Sequence, residues 1–198
     1  MKVNLDKTFA IAAPMSNGWK FLQDIPGVAS CMPGAEITEV VDANNYKGKV
    51  KAKIGPATMA FNGDIEIKGI DSDKRELHMI GRGQDTKGTS SAELDLTAWI
   101  VDAGDGQCEL KGKAEVAVTG KAASLGGRMM VQVADQILNQ FGKNFANNVV
   151  AMGEGEVADE ARVELAEQPK ELNGLAFAWA VFIGFLRSLF GGGKSSAG

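Results

Sequence analysis

One histidine, His78, one tyrosine, Tyr46, and two cysteines, Cys31 and Cys108, are a sparse supply of metal-ligating and proton-moving side chains for 198 residues. A single imidazole makes no histidine cluster, and the cysteines stand far apart in no ligand spacing, so the sequence predicts no metal site. Such cysteine usage suits buried thiols in a reducing compartment. An excess of positive charge is also missing: 21 Lys and Arg against 25 Asp and Glu leave a net charge of −4, which argues against phosphate-driven nucleic-acid binding. The amino terminus, Met1-Lys-Val-Asn-Leu-Asp-Lys, has charges where a secretory signal has its apolar region, so cytoplasmic residence is expected.

What the chain does have is periodicity. Val3, Leu5, Phe9 and Ile11 alternate with Asn4, Asp6 and Thr8 and predict a strand over 2–11. Ala13-Pro14 introduces a short helix through Leu22, and Asp24-Ile-Pro-Gly27 begins a second that Pro33-Gly34 closes. From Ile37 to Thr119 the period stays at two. Residues 46–54 place Lys47, Lys49, Lys51 and Lys53 on one face, a stripe that suits an acidic lipid or partner or, more simply, a solvated surface. After a turn at Gly55-Pro56, residues 59, 61, 63, 65 and 67 share the apolar face, and further strands are expected over 75–85, 89–101 and 107–119. The sheet is then antiparallel, with one wet face. Over 122–152 the period changes: Met130, Ala134, Ile137, Phe141, Phe145, Val149 and Met152 recur at three and four, the mark of one long helix that covers the sheet. The opposite stripe, Asp135 included, reads as solvated.

By parity the sheet's inner face carries Gly48, Ala52, Gly63, Gly81, Gly83, Ala92, Ala98, Gly112 and Ala114 among larger apolar residues. Small side chains opposite a helix leave either a cavity for a greasy ligand or room for bulges and close helix approach. Methionines 32, 59, 79, 129 and 130 would make such a cavity adaptable. His78 falls on the outer face with Glu76 and Arg82, and acids and lysines fall on solvent parities, so neither a catalytic triad nor an inward carboxylate pair is expected. Gly191-Gly-Gly-Lys-Ser195 lacks the earlier glycine of a phosphate loop, and Gly81-Arg-Gly83 lacks the third glycine of a dinucleotide fingerprint.

The one long apolar run comes late. Leu172 to Leu186 carries no charge and Leu172 to Phe190 carries only Arg187, a length between that of a buried helix and a spanning one. It follows Gly153 to Glu171, where seven acids against Arg162 and Lys170 give −5. The sequence therefore divides into a domain over 1–152, an acidic linker over 153–171 that is helical in part, an apolar membrane-anchoring helix over 172–190 and a terminal tail over 191–198. Leu175, Phe177, Trp179, Val181, Phe182, Ile183, Phe185, Leu186, Leu189 and Phe190 would enter the lipid, with Arg187 at headgroup phosphates.

The order of strand, two short helices, six strands and long helix resembles the α+β helix-grip arrangement of the START-like and Bet v 1-like (SRPBCC) superfamily, a curved antiparallel sheet wrapped around a long C-terminal helix. More specifically, the chain resembles the CoxG family, named for a subunit of carbon monoxide dehydrogenase. The resemblance rests on Cys31-Met-Pro-Gly34, Tyr46-Lys-Gly48, Lys53-Ile-Gly-Pro56, Phe61-Asn-Gly63 and Gly120-Lys-Ala-Ala-Ser-Leu-Gly-Gly-Arg128, in this order over most of 1–152. It implies a non-enzymatic protein that recruits a molybdenum hydroxylase of the CO or xanthine dehydrogenase type to the cytoplasmic face of the inner membrane. It also implies an apolar cavity for a hydrophobic small molecule, with a non-covalently bound respiratory quinone as the expected ligand. Met59, Phe61, Ile65, Met79, Leu94, Leu96, Met130, Ile137 and Phe141 are the expected lining. The alternative is an adaptor for recruitment or assembly, with a filled core and no ligand.

Overall fold

The computed structural model describes residues 1–54 and 57–166. The Gly55-Pro56 turn, the end of the acidic linker and the whole apolar segment with its tail lie outside the described residues.

The chain opens with β1 (Lys2–Ile11), whose alternating burial follows its alternating sequence. Two short helices follow, α1 (Met15–Leu22) behind Pro14 and α2 (Ile25–Ser30), where the Asp24 carboxylate accepts the backbone N–H of Gly27 at 3.1 Å and Pro26 occupies the first turn. Six strands come next: β2 (Ala35–Val40), β3 (Asn45–Ile54), β4 (Ala57–Asp71), β5 (Glu76–Asp85), β6 (Ser90–Gly104) and β7 (Gln107–Gly120). Each pairs antiparallel with its neighbours in the order β1-β7-β6-β5-β4-β3-β2, so β1 closes on β7, and β1 and β2 are the edges. A 3-10 turn over Lys121–Leu125 leads to α3 (Gly127–Ala151). This is the helix-grip arrangement that the sequence predicts.

Part of the acidic linker, Glu156–Ala166, is helix α4, and its Ala158 and Ala161 are buried. Glu164 holds it to α3 by accepting from Asn147 Nδ2 at 2.7 Å and pairing with Lys143 at 3.4 Å. These contacts hold the Asn147-bonded carboxyl of Glu164 below its ordinary range. Helix α4 is therefore docked on α3. Alanine and glutamate favour helix over an extended tether, and the small faces of Ala158 and Ala161 permit close packing.

The core occupies one end of the grip. Ile11, Phe21, Leu22, Ile25, Leu77, Ile100, Leu110, Phe145 and Val149 are all buried together there. Phe145 stands edge-on to Phe21 with centroids 5.0 Å apart, and Phe141 edge-on to Phe9 at 6.2 Å. At Gly142 α3 meets β1 so closely that a Cβ would lie 2.2 Å from the Phe9 ring.

Candidate functional site

From the core end toward mid-strand, burial falls along the inner faces of β4, β5 and β6, and it returns beyond at Asp85, Ser90, Val118 and Ala122. On the inner face of β6, Ala98 and Ile100 are buried, whereas Ala92, Leu94 and Leu96 keep partial exposure. On β5 the change runs from Leu77 to Met79, Gly81 and Gly83, and on β4 from Ile67 to Ile65, Gly63 and Phe61. Helix α3 repeats it, from buried Phe145 and Val149, through half-buried Ile137 and Met130, to Met129 and Val131, 45% and 41% exposed. The sheet and α3 thus grip tightly at the core end and less tightly toward mid-strand, and the 3-10 turn at Ala122 covers Ser90 and Val118 beyond.

At mid-strand the floor is glycine. A Cβ built on Gly81 would find only the Leu94 side chain within 4 Å, and one on Gly112 only Leu96 and the Thr97 carbonyl. All of these belong to β6, beside the glycines in the sheet, and none to α3. The register sets the half-buried Leu94 beside Gly81, and Gly81 beside Ile65, in one row across three strands. Room is therefore left between the sheet and the N-terminal half of α3 at Gly81 and Gly112, where no α3 atom would come within 4 Å of a Cβ, and this apolar region is the candidate cleft.

One ion pair bridges that cleft's margin. Lys7 lies on the inner face of β1, opposite Gly112 of β7, and its Nζ is 2.7 Å from Asp135 Oδ1 of α3. Lys7 shares the parity of Val3, Leu5, Phe9 and Ile11, so the expectation that acids and lysines fall on solvent parities is corrected here. Asp135, read as part of a solvated stripe, faces β1 because α3 leans toward that edge at Gly142. Asp85 is a second inward carboxylate, in register with Phe61, and is mostly buried while accepting Thr89 Oγ1 at 2.8 Å. Its partner lies in its own hairpin turn, so it closes the β5–β6 connection.

The remaining polar groups are structural. His78 is on the outer face, 2.8 Å from Asp95, as the sequence places it. Cys31 and Cys108 are free and buried, and burial pushes the Cys31 thiol up to about 12, which leaves it protonated and unreactive. Lys47 and Lys49 of the external stripe pair with Glu39 and Glu36 of β2 at 2.8 and 2.9 Å. A concavity of about 830 Å³ lies over the outer face, where Lys2, Lys47 and Arg82 are balanced by Asp64, Glu93 and Glu115. Its polar, charge-matched rim does not suit an apolar ligand.

Of the residues expected to line a cavity, Phe61, Ile65, Met79, Leu94 and Leu96 stand on inner-face rows of β4, β5 and β6, and Met59 lies two residues beyond Phe61 on the same parity. Met130, Ile137 and Phe141 lie on α3. Ile65, Met79, Leu96 and Phe141 also touch the core and so form the cleft's inner end. Among the described residues no group of histidine, cysteine and acids could hold a metal, and no helix is long and apolar enough to cross a bilayer.

Curved sheet and long covering helix make a helix-grip fold. Residues 8–150 match the family of CoxG, a subunit of carbon monoxide dehydrogenase, and the chain belongs to that family. A conserved protein from Geobacillus kaustophilus has the same fold with a TM-score of 0.67 at 19% identity, covering 74% of this chain and 95% of that one. A START superfamily protein from Mycobacterium smegmatis gives 0.54 at 14%, covering 76% and 99%. The Zhui aromatase/cyclase from Streptomyces sp. R1128 gives 0.53 at 14%, covering 78% and 100%. No curated protein sequence matches the chain.

Proposed function

We propose that this chain is a non-enzymatic, membrane-associated carrier that serves a CO dehydrogenase-type molybdenum hydroxylase, recruiting it to the inner membrane and holding a respiratory quinone in the cleft. The observation that carries the reading is that no α3 atom would come within 4 Å of a Cβ on Gly81 or Gly112, in a row of half-buried aliphatic side chains. A tightly packed interior would bring α3 side chains onto those glycines, whereas an apolar ligand could take that place and remove the half-buried aliphatic surface from water. Membership of the family supports the partner, since the family is named for a subunit of carbon monoxide dehydrogenase. The uncharged run Leu172 to Leu186 supports the membrane, because a domain that exchanges a lipid-soluble molecule needs access to lipid.

The test is reconstitution. Quinone-loaded vesicles, the molybdenum enzyme and its substrate should show quinone reduction that rises when the full chain is added. A chain ended at Glu171 should leave both the enzyme and itself in the unbound fraction. Equal quinone reduction with and without the chain would refute the carrier role, and equal sedimentation of both chain lengths with vesicles would refute the anchor.

A further inference from the structure

We propose that Lys7 and Asp135 form the head-group site of the cleft, a paired donor and acceptor that bind the oxygen of an apolar carbonyl compound and of its reduced, hydroxyl form. The inference rests on the carrier reading and adds to it the residues that recognise the ligand's polar end.

Among the described residues Lys7 is the one cation on the sheet's inner face, and Asp135 is its partner on α3 at 2.7 Å. The pair is neither sealed nor fully in water, for the two side chains keep 33% and 44% of their exposure. It sits in register with Gly112, above which no side chain of α3 stands within 4 Å. The loosely covered glycine floor and an ion pair therefore meet at one place, and a pocket of apolar lining with few polar groups orients its ligand through those groups.

The pairing also selects a chemistry. An ammonium offers three donors, of which Asp135 takes one, leaving hydrogens for a carbonyl oxygen. A carboxylate only accepts, and it retains lone pairs for a hydroxyl hydrogen. A quinone presents carbonyl oxygens and so is held by Lys7. The quinol presents hydroxyls and so donates to Asp135 while its oxygen still accepts from Lys7. One site then holds both redox forms, as a carrier working in both directions requires, and no proton or electron passes to the protein.

The experiment measures head-group preference on the full chain in detergent by titration calorimetry, with decylubiquinone, its quinol and the headless decylbenzene as probes. The wild type is expected to favour the quinone over decylbenzene by about tenfold or more, the range that one hydrogen bond to a charged group supplies. Lys7→Met should bring that ratio to within about twofold while decylbenzene affinity holds, because only the head-group contact is lost. Lys7→Arg should keep most of the preference, and Asp135→Asn should weaken the quinol more than the quinone. A Lys7→Met protein that keeps the wild-type ratio overturns the head-group site and leaves the carrier reading standing. Failure of all three probes to bind the wild type removes the cleft as a ligand site and the proposal with it. If Lys7→Met does not fold, Lys7→Arg and Asp135→Asn decide: an unchanged quinol-to-quinone ratio in Asp135→Asn contradicts the assignment.

Discussion

The side-chain amide of Asn144, only 6% exposed, donates to the backbone carbonyl of Cys31 at 2.9 Å and ties the middle of α3 to the loop that follows α2. Gln140 Nε2 donates to the Asn144 side-chain oxygen at 2.7 Å, and Asn148 Nδ2 donates to the Asn144 backbone carbonyl at 2.9 Å. Asn144 and Asn148 thus meet Cys31 at the start of the Cys31-Met-Pro-Gly34 turn, and Gln140 braces Asn144. Gly34 holds φ +76° there and accepts Lys51 N at 2.9 Å, with no room for a Cβ against the Lys51 carbonyl. The tight end of the grip is pinned by this network.

Asn144→Leu should therefore destabilise the fold by about 1–3 kcal/mol, since it leaves the buried Cys31 carbonyl without its donor. Chemical denaturation measures the loss. The head-group preference of the protein still folded should not change, because the network lies away from the cleft floor.

Gly142→Ala should also destabilise, against the helix propensity gain of about 1 kcal/mol that alanine brings elsewhere. The new Cβ would lie 2.2 Å from the Phe9 ring, so α3 and β1 must separate. Pairing it with Phe9→Leu should recover at least part of the loss in a double-mutant cycle, and additive losses would show that the contact is not the cause.

Stability should fall as pH rises above about 9. Burial raises the folded Cys31 thiol to about 12 from 9.0, so the unfolded chain loses its proton first and is favoured progressively through that window. At pH 11 the term amounts to about 2–3 kcal/mol. Lysine pairs at Lys2, Lys47 and Lys74, each hydrogen-bonded to an acid, weaken in the same direction, so the informative quantity is the slope of wild type less that of Cys31→Ala. Equal slopes would refute the assignment to Cys31.

At the acid end the docking of α4 should weaken. The Asn147 and Lys143 contacts lower the folded carboxyl of Glu164, so its contribution is complete above the ordinary carboxylate range and is lost as pH falls through the folded value. Hydrogen exchange over 156–166 should accelerate toward acid after correction for intrinsic rates, and Glu164→Gln should remove that dependence.

Much of this architecture was legible in the alternation of Val3, Leu5, Phe9 and Ile11 and in the recurrence of Met130, Ile137, Phe141 and Phe145, because one face of each element must meet the core. The small inner-face residues Gly81 and Gly112 were legible too, but not whether α3 would fill the space above them. That depends on where the helix leans, and the lean is fixed by Gly142 against Phe9, a tertiary contact with no local signature. Lys7 was visible on the apolar parity of its own strand. Its meaning required Asp135, which looked solvated because helical periodicity alone does not show how far a helix tilts toward a sheet edge. The docking of α4 was obscured by its acids, which read as a repelling tether until Lys143 and Asn147 were placed beside Glu164.

Filling the floor tests the central claim most directly. Neither Gly81 nor Gly112 has a positive φ or a close neighbour to obstruct a side chain, so Gly81→Leu and Gly112→Leu should fold with the stability of wild type or better. Native mass spectrometry with solvent extraction, on full chains incubated with decylubiquinone, should find the wild type carrying one quinone and the leucine variants depleted about tenfold or more. A wild type that takes up no quinone, or leucine variants that take it up undiminished, would contradict a ligand in this cleft.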